Sequence, residues 1–373
     1  MRQKIRVLQI QSKYNVDDSD LAEQIILALP SDEYEVTSAY LKGRPGVGDT
    51  LTRAPHAKYF EFNNRDVSGR RSKVFSEIKN FCNENNFDIV IAHRFKPIHV
   101  AMRLNRELAF KCCIGVSHGI GDYDRSYRKL FVWRSIRENW KMVAVSDTVR
   151  TYLTSKIPGL TKKNTITINN AIDISAAESR FLSQKEARRY LTIPENAFVF
   201  GAIGRLVPIK NHLVMLKALL LLKGESALLY VVIIGGGRCL EELRAFIDDN
   251  NLEDNVILAG EIPDAYRFAR AFDVFVMPSL SEGLPIALLE AMAASCPVIG
   301  SDIPSIGPLI EQVGRTFKVD NSQELAKQMS YFFELEPECL REIGLAHLEH
   351  VKKHHNILKF RSAYHELIKS SVF

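Results

Sequence analysis

The residues best placed to do chemistry lie in Asp273–Ser301, DVFVMPSLSEGLPIALLEAMAASCPVIGS. Val274–Met277 reads as a strand that stops at Pro278; a polar turn, Ser279–Gly283, follows. Pro285 stands where a helix begins, and Ile286–Ala294 continues it. In an open α/β sheet, ligands bind beyond the carboxyl ends of the strands, and Glu282 falls there. Gly283 lets backbone approach a ligand closely. The free N–H groups of the first helical turn, near Ile286 and Ala287, suit a diphosphate. Glu290 follows further along the same helix, where a carboxylate can hold vicinal hydroxyls such as those of a ribose. The plain alternative makes Glu282 a charge at a helix N-terminus and Glu290 a solvated residue. Its neighbours Leu288, Leu289, Ala291 and Met292 are apolar, which argues against the second half of that alternative.

The elements needed to position these groups are legible along the whole chain. Val/Ile-rich runs at Ile5–Gln11, Glu35–Leu41, Asp88–Ala92, Cys112–Val116, Met142–Val145 and Thr165–Asn170 read as strands. A second series comprises Phe198–Ile203, Leu228–Ile234, Asn255–Ala259, Val274–Met277 and Val298–Gly300. Nearly continuous apolar runs are expected of parallel strands buried on both faces. Amphipathic stretches lie between them, including Leu21–Leu29, Asp147–Ser155, Asn211–Leu222 and Leu240–Asn250. This alternation predicts an α/β protein with two doubly wound, Rossmann-like domains. Ser183–Glu186 (SQKE) is a capping box opening the first helix of the second half. The expected division is 1–172, 173–352 and a C-terminal helix, 353–373, returning to the first domain.

With these motifs in place, Glu282-x7-Glu290 within PSLSEGLPIALLEAMAASCPVI resembles the signature of the family-4 retaining glycosyltransferases of GT-B fold. Phe200–Leu206 (FGAIGRL) with Pro208–His212 (PIKNH) is similar to that family's "GRL…K" segment. Ile234–Gly237, Asn255–Gly260, Val145-Ser146 and Ile168–Asp173 resemble further family markers. The likeness spans most of 140–310 and is weaker before 110. It implies a cleft between the two domains that takes a nucleotide-sugar. Arg205 and Lys210 match the cations on the donor diphosphate, and both follow the Phe198–Ile203 strand. Glu282 matches the residue at the transferred sugar, and Glu290 the ribose carboxylate. Gly283, Leu284, Ile286 and Ala287 complete the donor-binding stretch. His118, in GVSHGI, resembles the family's histidine near the anomeric centre. Asp122 and Asp124 follow closely and are candidates to orient an acceptor hydroxyl.

The chain also departs from the family pattern. The usual Gly-Gly loop after the first strand reads Gln11-Ser-Lys-Tyr-Asn-Val16, where Ser12 or Lys13 would have to substitute. Asn169-Asn170 replaces the usual Asn-Gly, a pair that still tolerates left-handed φ. Ser295 stands where glycine is common, and the segment after Asp302 lacks the usual Gly-Gly-x-x-Glu.

Composition narrows the partners. With 46% hydrophobic and 25% charged residues the chain reads as globular. The six cysteines form no CxxC pair or zinc spacing, so reduced, core-filling thiols are expected. Asp17-Asp18-Ser19-Asp20 serves equally well as a helix N-cap cluster, so no metal or other cofactor is expected. The net charge of +5 divides unevenly, +10 over residues 1–170 and −5 over the remainder. An anionic acceptor or an acidic membrane surface fits the basic half; no recognised nucleic-acid module carries it. Its densest stretches are Arg65–Lys73 (RDVSGRRSK) and Arg125–Arg137 (RSYRKLFVWRSIR). Arg70, Arg71 and Lys73 are the candidate acceptor or membrane contacts. No apolar run reaches the roughly 18–20 residues of a membrane span. The start, MRQKIRVLQI, is too charged for a signal peptide. The expectation is therefore a cytoplasmic chain meeting the inner membrane peripherally. It would move a hexose, UDP-linked on base rate, to a surface-glycan acceptor such as a lipopolysaccharide core or polysaccharide precursor. The alternatives are a nucleotide-sugar epimerase or hydrolase, and a non-catalytic binder of nucleotide or glycan.

Overall fold

The computed structural model describes residues 3–17, 20–69, 71–224 and 228–372. They divide into two compact units, one of residues 1–170 with 357–373, the other of residues 171–356.

The first unit is a seven-stranded parallel sheet ordered β3-β2-β1-β4-β5-β6-β7. Its elements run β1 (Ile5–Gln11), α1 (Leu21–Leu27), β2 (Tyr34–Tyr40), β3 (His56–Tyr59), α2 (Ser72–Asn85), β4 (Ile89–His93) and α3 (Phe95–Leu108). They continue with β5 (Cys112–Ser117), α4 (Ser126–Ser135), β6 (Trp140–Ala144), α5 (Asp147–Lys156) and β7 (Thr165–Thr167). The central strands are buried along their length, as continuous apolar runs require. β3 was not anticipated: His56, Ala57 and Lys58 are exposed, so this edge strand carries no apolar pattern. Asp20 caps α1, accepting from the Ala22 N–H at 2.9 Å; Asp18 and Ser19 lie outside the described residues.

The second unit opens with α6 (Ile174–Glu178) and α7 (Gln184–Tyr190), the latter begun by the Ser183–Glu186 capping box. Next come β8 (Phe198–Ile203), α8 (Leu213–Leu221), β9 (Leu229–Ile234), α9 (Leu240–Asp249), β10 (Val256–Gly260), β11 (Val274–Met277) and α10 (Ile286–Ala293). β12 (Val298–Ser301), α11 (Gly307–Ile310), β13 (Arg315–Phe317), α12 (Ser322–Phe333) and α13 (Pro337–His354) complete it. The six strands are parallel and ordered β10-β9-β8-β11-β12-β13. Strand order reverses between β8 and β11 here, and between β1 and β4 in the first unit. Those reversals open the crevices in which doubly wound sheets bind ligands.

α14 (Ile357–Val372) belongs to the first unit. Its face of Ile357, Phe360, Tyr364 and Ile368 is buried, it packs on α1, and Arg361 Nε donates to Gln24 Oε1 at 2.9 Å. The returning segment begins at Ile357 rather than at 353, because α13 runs through His354. The backbone bears on two departures noted in the sequence. Neither Asn169 nor Asn170 adopts positive φ, whereas Ser295 does, at φ 60°. All six cysteines are free, with Cys82, Cys112, Cys113 and Cys296 buried.

Candidate functional site

In the second unit, β8 and β11 are hydrogen-bonded neighbours, pairing Phe200 with Val274 and Gly201 with Phe275. Their connectors therefore emerge side by side, and the Leu280 N–H donates to the Ile209 carbonyl at 2.8 Å. This brings residues 72 positions apart into contact: Lys210 Nζ lies 2.6 Å from Glu282 Oε1, with both side chains mostly buried. Ser279 Oγ donates to the same carboxylate oxygen at 2.6 Å. Arg205, on the same connector as Lys210, is exposed and makes no ion pair among the described residues. The expected cation pair is thus asymmetric: one member is engaged by Glu282 and the other is open.

Glycines hold this crest tightly. Gly235 sits at φ 157°, and a Cβ there would stand 1.9 Å from the Gly204 carbonyl oxygen. Only glycine permits that approach, and it lets Leu206 N–H reach the Gly236 carbonyl at 2.8 Å. α10 begins at Pro285 without a side-chain cap, leaving Ile286 and Ala287 half-buried on its first turn, while Gly283 and Leu284 are buried just before it. Glu290 is 7% exposed, which excludes the solvated alternative. Beside Lys210, burial and the adjacent ammonium push His212 down to about 4, so the ring is neutral near pH 7.

In the first unit, β4 and β5 pair in parallel, His93 opposite Val116. Their ends set His93 Nδ1 3.2 Å from His118 Nε2. Burial, the neighbouring His93 and the Arg94 charge hold His118 well below the ordinary imidazole range; burial and Arg94 take His93 to about 3. Two neutral rings sharing one hydrogen bond require one to donate and the other to accept. The sequence missed His93 because the apolar run was ended at Ala92. Asp124 Oδ1 accepts from the Tyr152 hydroxyl at 2.8 Å, whereas the Asp122 carboxyl is raised by burial, against the pull of Arg94 and Arg128.

Of the three cations expected to act together, the structure describes two and gives them different surroundings. Arg70 lies outside the described residues. Lys73 is exposed and sits 3.6 Å from Asp66. Arg71 turns inward, 6% exposed, with Nε on the Val67 carbonyl at 3.0 Å and its guanidinium 5.9 Å from the Phe95 ring centre. The other basic stretch meets it there, with Arg128 4.4 Å from the same ring centre. α4 buries Val132 and Ser135 but leaves Tyr127, Leu130 and Trp133 exposed. Among the described residues, no group of three or more His, Cys, Asp or Glu side chains is arranged to hold a metal ion. No described helix is long and apolar enough to cross a membrane.

Two parallel-sheet units with polar crests at their strand ends define an α/β fold of the GT-B class. Residues 183–345, most of the second unit, match the family model "Glycosyl transferases group 1". The UDP-Gal:alpha-D-GlcNAc-diphosphoundecaprenol alpha-1,3-galactosyltransferase of Escherichia coli is 33% identical over 139 residues, 36% of each chain. The N-acetylgalactosamine-N,N'-diacetylbacillosaminyl-diphospho-undecaprenol 4-alpha-N-acetylgalactosaminyltransferase of Campylobacter jejuni is 31% identical over 136 residues, again 36% of each. The chain thus spans little more than a third of the length of these relatives. The crystal structure of Anabaena Alr3699/HepE with UDP and glucose matches with TM-score 0.83 at 18% identity, covering 98% of this chain and 100% of that one. At that identity the likeness concerns the fold.

Proposed function

We propose that the protein is a retaining glycosyltransferase that moves a hexose from a UDP-sugar to a hydroxyl of an anionic, lipid-linked glycan. Lipopolysaccharide core or a surface-polysaccharide precursor is the acceptor class. The observation carrying this reading is the Lys210–Glu282–Ser279 cluster at the strand-order reversal of the second unit, beside the uncapped start of α10. A compact ammonium, the open Arg205 guanidinium and aligned helix N–H groups stabilise the negative charge of a departing nucleoside diphosphate without a metal ion. Glu290 takes the ribose hydroxyls. Glu282, held by Lys210 and Ser279, faces the transferred sugar. In the first unit neutral His118 is assigned to sugar hydroxyls near the anomeric carbon.

The reaction is front-side displacement. The bond from the anomeric carbon to the diphosphate oxygen breaks, and the acceptor oxygen bonds to the same face of that carbon. The leaving phosphate takes the acceptor's proton. Support for the donor comes from the E. coli relative, named for UDP-Gal, and from the Anabaena structure holding UDP and glucose. Support for the acceptor comes from two relatives named for diphospho-undecaprenol-linked sugars. The enzyme would work in the cytoplasm, against the cytoplasmic face of the inner membrane.

The test is a panel of UDP-, GDP- and ADP-hexoses screened by thermal shift, followed by turnover with lipid-linked acceptors in EDTA. A UDP-sugar should stabilise the protein and yield a product with the donor's anomeric configuration. An inverted product would overturn the mechanism. Rapid donor consumption without acceptor would point to a hydrolase or epimerase instead.

A further inference from the structure

Apart from Arg71, which the sequence already offered as an acceptor or membrane contact, the strongest unexplained feature is a group of cations gathered at one end of the first sheet. Arg71 precedes α2, Lys96 lies in the first turn of α3, Arg128 belongs to α4 and Lys42 follows β2. The Arg71 and Arg128 guanidinium groups both lie over Phe95. Arg128 is fixed by donation to the Asp122 carbonyl at 2.6 Å and to the Tyr127 hydroxyl at 3.2 Å. Lys42 is anchored on Asn64 Oδ1 at 3.0 Å. None of these four cations forms an ion pair among the described residues, whereas the part-buried Arg188 and Lys210 of the second unit each meet a carboxylate. The Lys96 ammonium is held below its ordinary range by burial and then by Lys42, Arg71 and Arg128; Arg71 is lowered by burial and, against the opposing Tyr127, by Arg128 and Arg103.

Gathering like charges around one ring, with only the Asp122 carboxyl acting on Arg128 from nearby, costs free energy that a bound polyanion would return. Two guanidinium groups, each anchored through part of its donor set, leave N–H groups suited to the tetrahedral oxygens of a phosphate. The site is recessed: Arg71 is 6% exposed, and Lys42, Lys96 and Arg128 are half-buried. A flat bilayer contact would instead present fully exposed cations. Arg94 and Asp122 connect this group electrostatically to His118, so the anion would lie on the same crest as the histidine assigned to the sugar.

We infer that Lys42, Arg71, Lys96 and Arg128 form a diphosphate-binding subsite for the acceptor, separate from the donor diphosphate site of the second unit. The inference rests on the transferase reading above, and it adds which acceptor group is recognised and where.

The test is calorimetric titration of inorganic pyrophosphate into the full chain saturated with UDP, which occupies the donor site. Wild type should bind one pyrophosphate. Arg128→Gln and Lys96→Gln should each weaken it at least about fivefold, with UDP affinity and melting temperature retained, and Arg128→Lys should recover part of the loss. Unchanged pyrophosphate affinity in both glutamine variants, or none in wild type, would overturn the subsite. Flotation with phosphatidylglycerol vesicles is the second arm: vesicle binding that falls in the variants while pyrophosphate binding holds assigns the cations to a bilayer and also overturns it. Competition by farnesyl diphosphate separates a lipid-linked diphosphate from a soluble one. Failure of wild type to bind UDP would break the donor reading, and the pyrophosphate series would still decide this site.

Discussion

The two crests solve different electrostatic problems. In the second unit the principal cation is already matched: Lys210 is bonded to Glu282, and glycines bring the connectors into backbone contact. At the crest of the first unit the ionisable groups include neutral rings, as in the His93–His118 pair, and the Arg71 and Arg128 cations over Phe95, which form no ion pair among the described residues. A pre-paired crest keeps its geometry before the ligand arrives, as suits a site that must stabilise developing charge. An unpaired cationic crest draws its counter-charge from the ligand, which favours binding and orienting an anion. The fold is shared; the charge bookkeeping at the strand ends is what distinguishes the halves.

The largest effect that would sharpen this contrast is at the paired crest. Lys210→Ala or Glu282→Gln should lower turnover with the UDP-sugar by about a hundredfold or more; retention of near-normal turnover would break the assignment. His118→Ala should reduce kcat by about ten- to a hundredfold while UDP affinity measured by calorimetry stays put, because the residue belongs to the other unit. Parallel loss of UDP binding would erase the distinction between crests. Gly235→Ala should destabilise the protein by about 1–3 kcal/mol and raise the donor KM, since the new methyl meets the Gly204 carbonyl. Equal melting curves would show that the connector yields.

Acid should weaken the fold progressively. Burial takes His93 to about 3 and His212 and His347 to about 4, whereas unfolded imidazoles take protons near pH ~6.5. Their contribution is complete above about pH 6.5 and is lost as pH falls toward the folded values, by up to about 1.4 kcal/mol per pH unit for each ring. Asp20 acts oppositely: burial raises it to about 7, so its contribution is present at low pH and is lost as pH rises through 7. Asp20→Asn should therefore steepen the acid loss of urea-measured stability; an unchanged slope would remove Asp20 from the account. The smallest expected effect is Ser295→Gly, a gain of about 1 kcal/mol from relieving left-handed backbone, read as a modest rise in melting temperature.

Much of the second crest was legible. Glu282, Gly283, Pro285 and the following apolar helix are contiguous, and local order alone fixes a strand, a turn and a helix N-terminus. The Ser183 capping box was readable for the same reason. The first crest was not. Arg71 and Arg128 stood in two separate basic stretches read as suiting an anionic acceptor or a membrane surface, and Arg70, Arg71 and Lys73 looked like one group. His93 was lost at a strand end, and β3, an exposed edge strand, offers no apolar period.

The amino-acid order by itself determined the alternation of buried parallel strands with amphipathic helices, the two doubly wound sheets and the acidic-turn helix start, because apolar periodicity and capping act over a few residues. Only the tertiary structure decided which distant groups touch: Lys210 with Glu282, His93 with His118, and two basic stretches on one phenylalanine ring. Strand adjacency sets those meetings. The pairing of β8 with β11 and of β4 with β5 is a global outcome of packing that no short stretch of sequence encodes.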